Sequence, residues 1–200
     1  MKRSHFESTV VAFLLLLFFS SVAAAADPMR VVRWSNSQAL NMQRNKQGKL
    51  DSVTEKALME VINSVTSFST MSKNVMMWLP STLNATQKNR FDTVFQKLLR
   101  VSSVKKAGRY RARDFRYLGI RYRGGAAIVR TKAFYKTDTV NLNYTLRRLG
   151  GKWKIVDYEI DGIGTVDNYR KMFRLLFRRK NLDSVIRILN RKIRRYQQEK

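Results

Sequence analysis

Apolar residues recur every three or four positions through the first half of the chain, at every second position in the middle, and every three or four again at the end. Leu58, Val61, Ile62, Val65 and Phe68 share one helical face until Pro80 and Ser81 break the pattern. A second stripe follows in Phe91, Val94, Phe95, Leu98 and Leu99. Asn84 and Gln87, three apart, resemble the reciprocal pair that caps a helix start, and Gly108 ends the run. From Arg109 to Asp161 the period changes to two. Val140, Leu142, Tyr144 and Leu146 alternate with Asn141, Asn143, Thr145 and Arg147, as a half-buried strand requires. Gly124-Gly125 separates residues 115–122 from 126–135, and Gly150-Gly151 leads into 153–160; both are hairpin signals. Helical spacing resumes at Thr165 with Val166, Tyr169, Phe173, Leu176 and Phe177. A last stripe holds Leu182, Val185, Ile186, Leu189 and Ile193. Helices before and after three or four consecutive antiparallel strands predict an α+β fold.

The N-terminus changes the setting in which that fold must work. Lys2 and Arg3 precede a ten-residue apolar run at 10–19, and Ala24-Ala25-Ala26 stands before Asp27. These three parts spell a cleaved secretory signal peptide over residues 1–26. The rival is an uncleaved anchor, but residues 10–26 are interrupted by Ser20 and Ser21, and a membrane span needs about 20 apolar residues. Without cysteine, anchoring through a lipidated cysteine is excluded. Residues 27–200 are then expected to form one exported domain, long enough for a real core.

Cleavage removes Lys2, Arg3 and Glu7, leaving 38 basic against 13 acidic residues, a formal charge of +25. It also removes His5, the only histidine. Thiol or imidazole zinc ligation, a Ser-His-Asp triad, a Cys-His dyad and histidine general-base catalysis are excluded in the remainder. Two overlapping S-x-x-K matches, Ser102 to Lys105 and Ser103 to Lys106, have the form used by serine-lysine acyl enzymes. Their companion motifs are missing, and lysines at a helix end complement its dipole. Asp157, Glu159 and Asp161 share a strand face; ion pairing with the many Arg and Lys is expected rather than catalysis or calcium. Asn84 and Asn143 stand in N-glycosylation acceptor patterns that matter only in a eukaryotic cell.

So basic a chain requires an acidic partner or surface. Nucleic acid is the usual partner at pI near 11, and export argues against it. Anionic phospholipid, lipopolysaccharide or an acidic protein fits the compartment better. Arg187, Arg191, Arg194 and Arg195 surround the polar side of the last helix, ordinarily a solvated face. Phe115, Tyr117, Tyr122, Phe134, Tyr135, Tyr144, Trp153 and Tyr158 all fall in the sheet region. They are open to three readings: core, the lining of an apolar cavity, or stacking platforms for single-stranded nucleic acid.

The segment from Gly151 through Trp153-Lys154-Ile155-Val156-Asp157 to Gly162-Ile163 resembles the "W-K-V-x-D" to "G-v-S" stretch of the MlaC, or toluene-tolerance, family, with Gly164 where that family usually has Ser. Val166-Asp167-Asn168-Tyr169-Arg170-Lys171-Met172-Phe173 is similar to its "N-Y-R-x-x-F" segment, and Leu182-Asp183-Ser184-Val185-Ile186 to the opening of its last helix. Upstream, residues 83–99 and 68–72 resemble further family segments in the same order. The resemblance covers nearly all of residues 27–200, with 27–50 matching weakly.

The resemblance implies a curved antiparallel sheet of about four strands, packed with N- and C-terminal helices around a deep apolar pocket for phospholipid acyl chains. The histidine and cysteine missing from residues 27–200 independently leave no catalytic toolkit, so no enzyme, catalytic residue, metal or cofactor is expected, and bound phospholipid is the ligand the resemblance implies. The resemblance further implies a periplasmic shuttle between an outer-membrane lipoprotein complex and an inner-membrane ABC transporter, in transient contact with anionic membranes. Pocket candidates are Phe115, Tyr117, Val129, Tyr144, Leu146, Trp153, Val156, Tyr158, Tyr169 and Phe173; head-group or membrane-steering candidates are Arg170, Arg187, Arg191 and Arg195. A hopanoid or other amphiphile is an alternative cargo. From another class, the chain would be a basic exported scaffold or nucleic-acid binder whose aromatics are only core.

Overall fold

Each helix begins where a side chain can accept from its otherwise orphaned amides. The computed structural model describes residues 27–44, 50–109 and 111–198; the expected signal peptide, residues 1–26, lies outside them. Asp27 caps α1 (Pro28–Gln43), Asp51 caps α2 (Ser52–Val65) and Ser67 caps α3 (Phe68–Met76). At α4 (Ala85–Arg109) the expected reciprocal pair is present: Gln87 N donates to Asn84 Oδ1 and Asn84 N to Gln87 Oε1, both at 2.9 Å. The C-terminal helices are α5 (Thr165–Phe177) and α6 (Leu182–Gln198).

The single helical face expected over 58–68 is divided between two helices. Thr66 leaves α2 in an extended conformation, and Ser67 N donates to Ile155 O at 2.8 Å. The Thr66 hydroxyl also shares a 2.5 Å hydrogen bond with the Tyr158 hydroxyl. The apolar stripe continues across the break, but the backbone turns there to reach the sheet.

That sheet is an antiparallel meander of five strands in chain order: β1 (Asp114–Arg123), β2 (Ala126–Phe134), β3 (Thr139–Leu149), β4 (Lys152–Ile160) and β5 (Ile163–Gly164). The fifth, two-residue strand adds to the four-strand expectation. Gly124-Gly125 and Gly150-Gly151 all have positive φ, as two-residue hairpin turns matched to strand twist demand.

Two apolar clusters hold the layers together. One joins α3, α4, α5 and α6 through Phe68, Met71, Phe91, Phe95, Phe173 and Leu189, among others. The second joins Val32 of α1 and Val65 of α2 to Val129, Tyr144, Leu146 and Ile155 on the sheet's inner face. Tyr158 packs against both.

The start of α5 is capped from outside the helix. Gly164 has no side chain to offer, and the Asp157 carboxylate on β4 accepts from Val166 N at 3.0 Å and from Tyr158 N at 2.8 Å. Burial pushes the Asp157 carboxyl up to about 6, against the downward pull of those amides. Its folded pKa exceeds the unfolded one, so its stabilising contribution is full below about pH 4 and is lost as pH rises through about 6. Asp157→Asn keeps an acceptor but cannot ionise. The stability of the variant relative to the native protein is therefore expected to rise by about 2–3 kcal/mol between pH 4 and pH 7. Urea unfolding of both proteins across that range measures it; a pH-independent difference would show an ordinary carboxyl.

Candidate functional site

The inner face of the sheet, covered by α1 and α2, brings together most of the side chains expected to line a pocket. Strand pairing sets this. Phe115 faces Ala133, Tyr117 faces Thr131 and Val129 faces Tyr144, while Tyr144 also faces Tyr158 and Leu146 faces Ile155. Cross-strand partners point to the same side, so one pleat presents Tyr117, Val129, Tyr144, Leu146, Trp153 and Tyr158 to α1 and α2. Phe115 is half-buried further along β1, with its ring centroid 6.5 Å from that of Tyr117.

Inside this apolar interface lies a chain of polar groups. Tyr144 donates to Asn36 Oδ1 at 2.8 Å, and Asn36 Nδ2 donates to the Tyr117 hydroxyl at 3.3 Å. The Arg33 guanidinium sits over the Tyr117 ring, 4.0 Å from its centroid. The rings of Tyr144 and Tyr158 meet edge to face at 5.7 Å. Burial drives the Tyr144 hydroxyl well above the ordinary phenol range and pushes that of Tyr158 up to about 12, although bonds to Asn36 and Thr66 pull the other way. Both phenols are therefore neutral at physiological pH. The interface presents hydrocarbon, aromatic faces and neutral hydroxyls.

Three candidates lie apart from this interface. Tyr169 and Phe173 belong to the helical cluster, with ring centroids 4.9 and 5.1 Å from that of Phe95. Val156 is buried as the extra residue of a β-bulge, where pairing steps from Leu146–Ile155 to Thr145–Asp157. Among the arginines, Arg170 donates from Nε and Nη2 to Asn74 O at 3.1 and 3.0 Å and pairs with Asp167 at 2.9 Å, tying α5 to the last turn of α3. Arg187 donates to Ser184 Oγ at 2.8 Å and is exposed on α6, as are Arg191 and Arg195.

In the first of the two S-x-x-K matches both ends have structural partners. Ser102 is buried and donates to Leu99 O at 3.1 Å, while Lys105 pairs with Glu55 at 2.5 Å. Where ion pairing was expected, the two carboxylates of β4 and Asp161, in the turn after it, accept from amide groups among the described residues. Asp157 caps α5, Glu159 accepts from Asn143 Nδ2 at 2.8 Å, and Asp161 accepts from Asn141 N at 2.8 Å. Register places Asn143 opposite Glu159, which brings the side-chain amide within reach of the carboxylate. Among the described residues no group of three or more Asp, Glu, His or Cys is placed to hold a metal ion.

Asn36, Thr66, Val32 and Arg33 were not among the expected site residues. Met29, Val32 and Asn36 recur at three and four, which could have marked the buried side of α1, but a polar Asn in that stripe hides the signal.

Helices packed on one face of an antiparallel meander, with an aromatic and apolar interface between the layers, define this protein by fold. That fold matches a phospholipid-binding protein from Ralstonia solanacearum whose structure holds a phospholipid, with a TM-score of 0.70 at 18% identity, covering 86% of this chain and 100% of that one. No curated protein sequence matches this chain. The sequence profile of the MlaC protein family matches residues 35–191, and the chain belongs to that family.

Proposed function

We propose that this protein is a periplasmic phospholipid carrier, exported with cleavage after Ala26. In this reading it passes lipid between an outer-membrane lipoprotein complex and an inner-membrane ABC transporter, and it is not an enzyme. The observation that carries the reading is the helix–sheet interface in which Tyr117, Val129, Tyr144, Leu146, Trp153 and Tyr158 converge on α1 and α2. MlaC family membership and the phospholipid held by the Ralstonia solanacearum protein of the same fold support it. Acyl chains would lie against the interface side chains, between the sheet's inner face and α1 and α2. Each buried methylene contributes about 0.8 kcal/mol, enough to hold a diacyl lipid without covalent chemistry. Arg187, Arg191 and Arg195 would steer the loaded carrier toward acidic membranes or partners through a salt-screened field.

Gently purified protein is expected to carry about one or two phospholipids per chain, since such sites enclose most of a ligand's apolar surface. Native mass spectrometry reads the adducts, and lipid extraction identifies them. Lipid-free protein from several expression hosts would overturn the carrier reading and favour a basic scaffold.

A further inference from the structure

Three large apolar side chains are exposed in the helical layer, two at the end of α3 and one on α5. Met77 is 77% exposed, Trp78 51% and Leu175 63%. The last turn of α3 closes through Trp78 N to Val75 O at 3.2 Å and Leu79 N to Met76 O at 2.9 Å, and Pro80 then ends the helical path. Met77 and Trp78 are thus fixed at a helix end rather than carried on a free loop. The bonds from Arg170 to Asn74 O hold this end against α5. There the Arg174 guanidinium lies over the Trp78 ring, 3.8 Å from its centroid.

On α5 and its C-cap the exposed positions Lys171, Arg174, Leu175 and Arg178 recur at helical spacing, so Leu175 projects from a stripe that is otherwise basic. Residues 170–180 hold six Lys or Arg and no Asp or Glu. Between the two elements opens a cleft of about 220 Å³, lined by Trp78, Pro80, Phe177, Arg174 and Arg178. A second cleft of about 420 Å³ shares Pro80 and Phe177 with it and carries Lys180 on its wall.

A tryptophan and a methionine exposed at one helix end, against a helix that exposes a leucine, mark an interaction site. The neighbouring charges identify the partner. Arg174 and Arg170 lie over the Trp78 ring, at 3.8 and 5.9 Å from its centroid, and Leu175 shares an exposed stripe with Lys171, Arg174 and Arg178. Aromatic, aliphatic and cationic groups thus occur together as a bilayer interface orders them, phosphates outermost, hydrocarbon beneath, tryptophan between. An acidic protein would need a shaped counterface, whereas a membrane accepts projecting tips from a convex helix and supplies anionic charge without shape. We propose that this end of the helical layer docks on anionic phospholipid bilayers. Met77, Trp78 and Leu175 enter the boundary between head groups and acyl chains, and Arg174 and Arg178 take phosphates at the mouth of the cleft. The surface is separate from the interior interface and requires no lipid there.

Sedimentation of the purified full chain with vesicles tests this, using phosphatidylcholine alone or with one-third phosphatidylglycerol. Partition is expected onto the anionic vesicles only, and it should weaken as salt rises above about 0.1 M. Trp78→Ala with Leu175→Ser should reduce it about tenfold or more. Arg174→Gln with Arg178→Gln should reduce it and flatten its salt dependence. Tyr122→Ala, an equally exposed aromatic on β1, should leave it unchanged. All these positions are exposed, and circular dichroism melting checks that each variant folds. Equal partition by the Trp78/Leu175 variant overturns the proposal. So does a native protein that ignores anionic vesicles, in which case the patch belongs to a protein partner. Failure of the carrier reading is a different result: protein without bound lipid that still sediments with anionic vesicles.

Discussion

Protein carrying Tyr144→Asp is expected to emerge from purification with its phospholipid content lowered about a hundredfold or more. Tyr144 is buried among Val129, Leu146 and Tyr158 at the centre of the proposed acyl-chain interface. A carboxylate there must be desolvated beside any acyl chain, a cost of several kcal/mol, and each 1.4 kcal/mol is a factor of ten. The change also removes the bond to Asn36 and leaves its amide oxygen short of a donor. Val129→Phe is the companion that adds bulk without charge; overpacking costs about 1–3 kcal/mol, so the fold should persist while lipid occupancy falls about tenfold. Reversing Arg187, Arg191 and Arg195 to Glu should leave occupancy unchanged and slow transfer to anionic acceptor vesicles, because apolar burial retains lipid and charge sets the encounter rate. Lipid mass spectrometry and a vesicle transfer assay read the two effects separately. Charge-reversed protein that is empty, beside interface variants that remain loaded, would mean that the ligand is held at the surface as an anion.

Phe95→Ala is expected to destabilise the protein by about 3–5 kcal/mol, the range for removing a buried aromatic and leaving a cavity. Phe95 is fully buried, and its ring contacts those of Phe91, Tyr169 and Phe173 at centroid distances of 5.6, 4.9 and 5.1 Å. These contacts join α4 to α5, so the loss falls on the packing that fixes the helical layer. For a domain of this size the midpoint of thermal unfolding should fall by about 6–20 °C. Urea and thermal unfolding of the variant measure it. A loss below about 1 kcal/mol would show that the neighbouring rings close the cavity.

The secondary structure was legible because local rules governed it. Alternation through Val140–Leu146, the paired glycines at 124–125 and 150–151, and the Asn84–Gln87 capping pair each act within a few residues, and each appears as expected. The stripes on α4, α5 and α6 were equally plain, since one face of each must be buried. The break between α2 and α3 was not legible. Thr66 and Ser67 leave the helix to bond Tyr158 and Ile155, some ninety positions away, and no local pattern records such partners.

The same division runs through the candidate site. The sequence by itself determined the α+β class and the chemistry on offer: a strongly basic chain, aromatic-rich in its sheet and without a thiol. Burial periodicity says that a residue faces inward, but not which neighbour it meets. Only the tertiary structure could therefore separate Tyr144 and Tyr158, on the inner face beneath α1 and α2, from Tyr169 and Phe173, in the helical cluster. Only the β4 bulge decided that Val156 leaves the strand's alternation, because one extra residue reverses the facing of those beyond it. The exposed Trp78 likewise reads in sequence as one more apolar residue near a helix end; packing of α3 against α5 sets it beside Arg174, since that adjacency depends on how two helices meet and not on either alone.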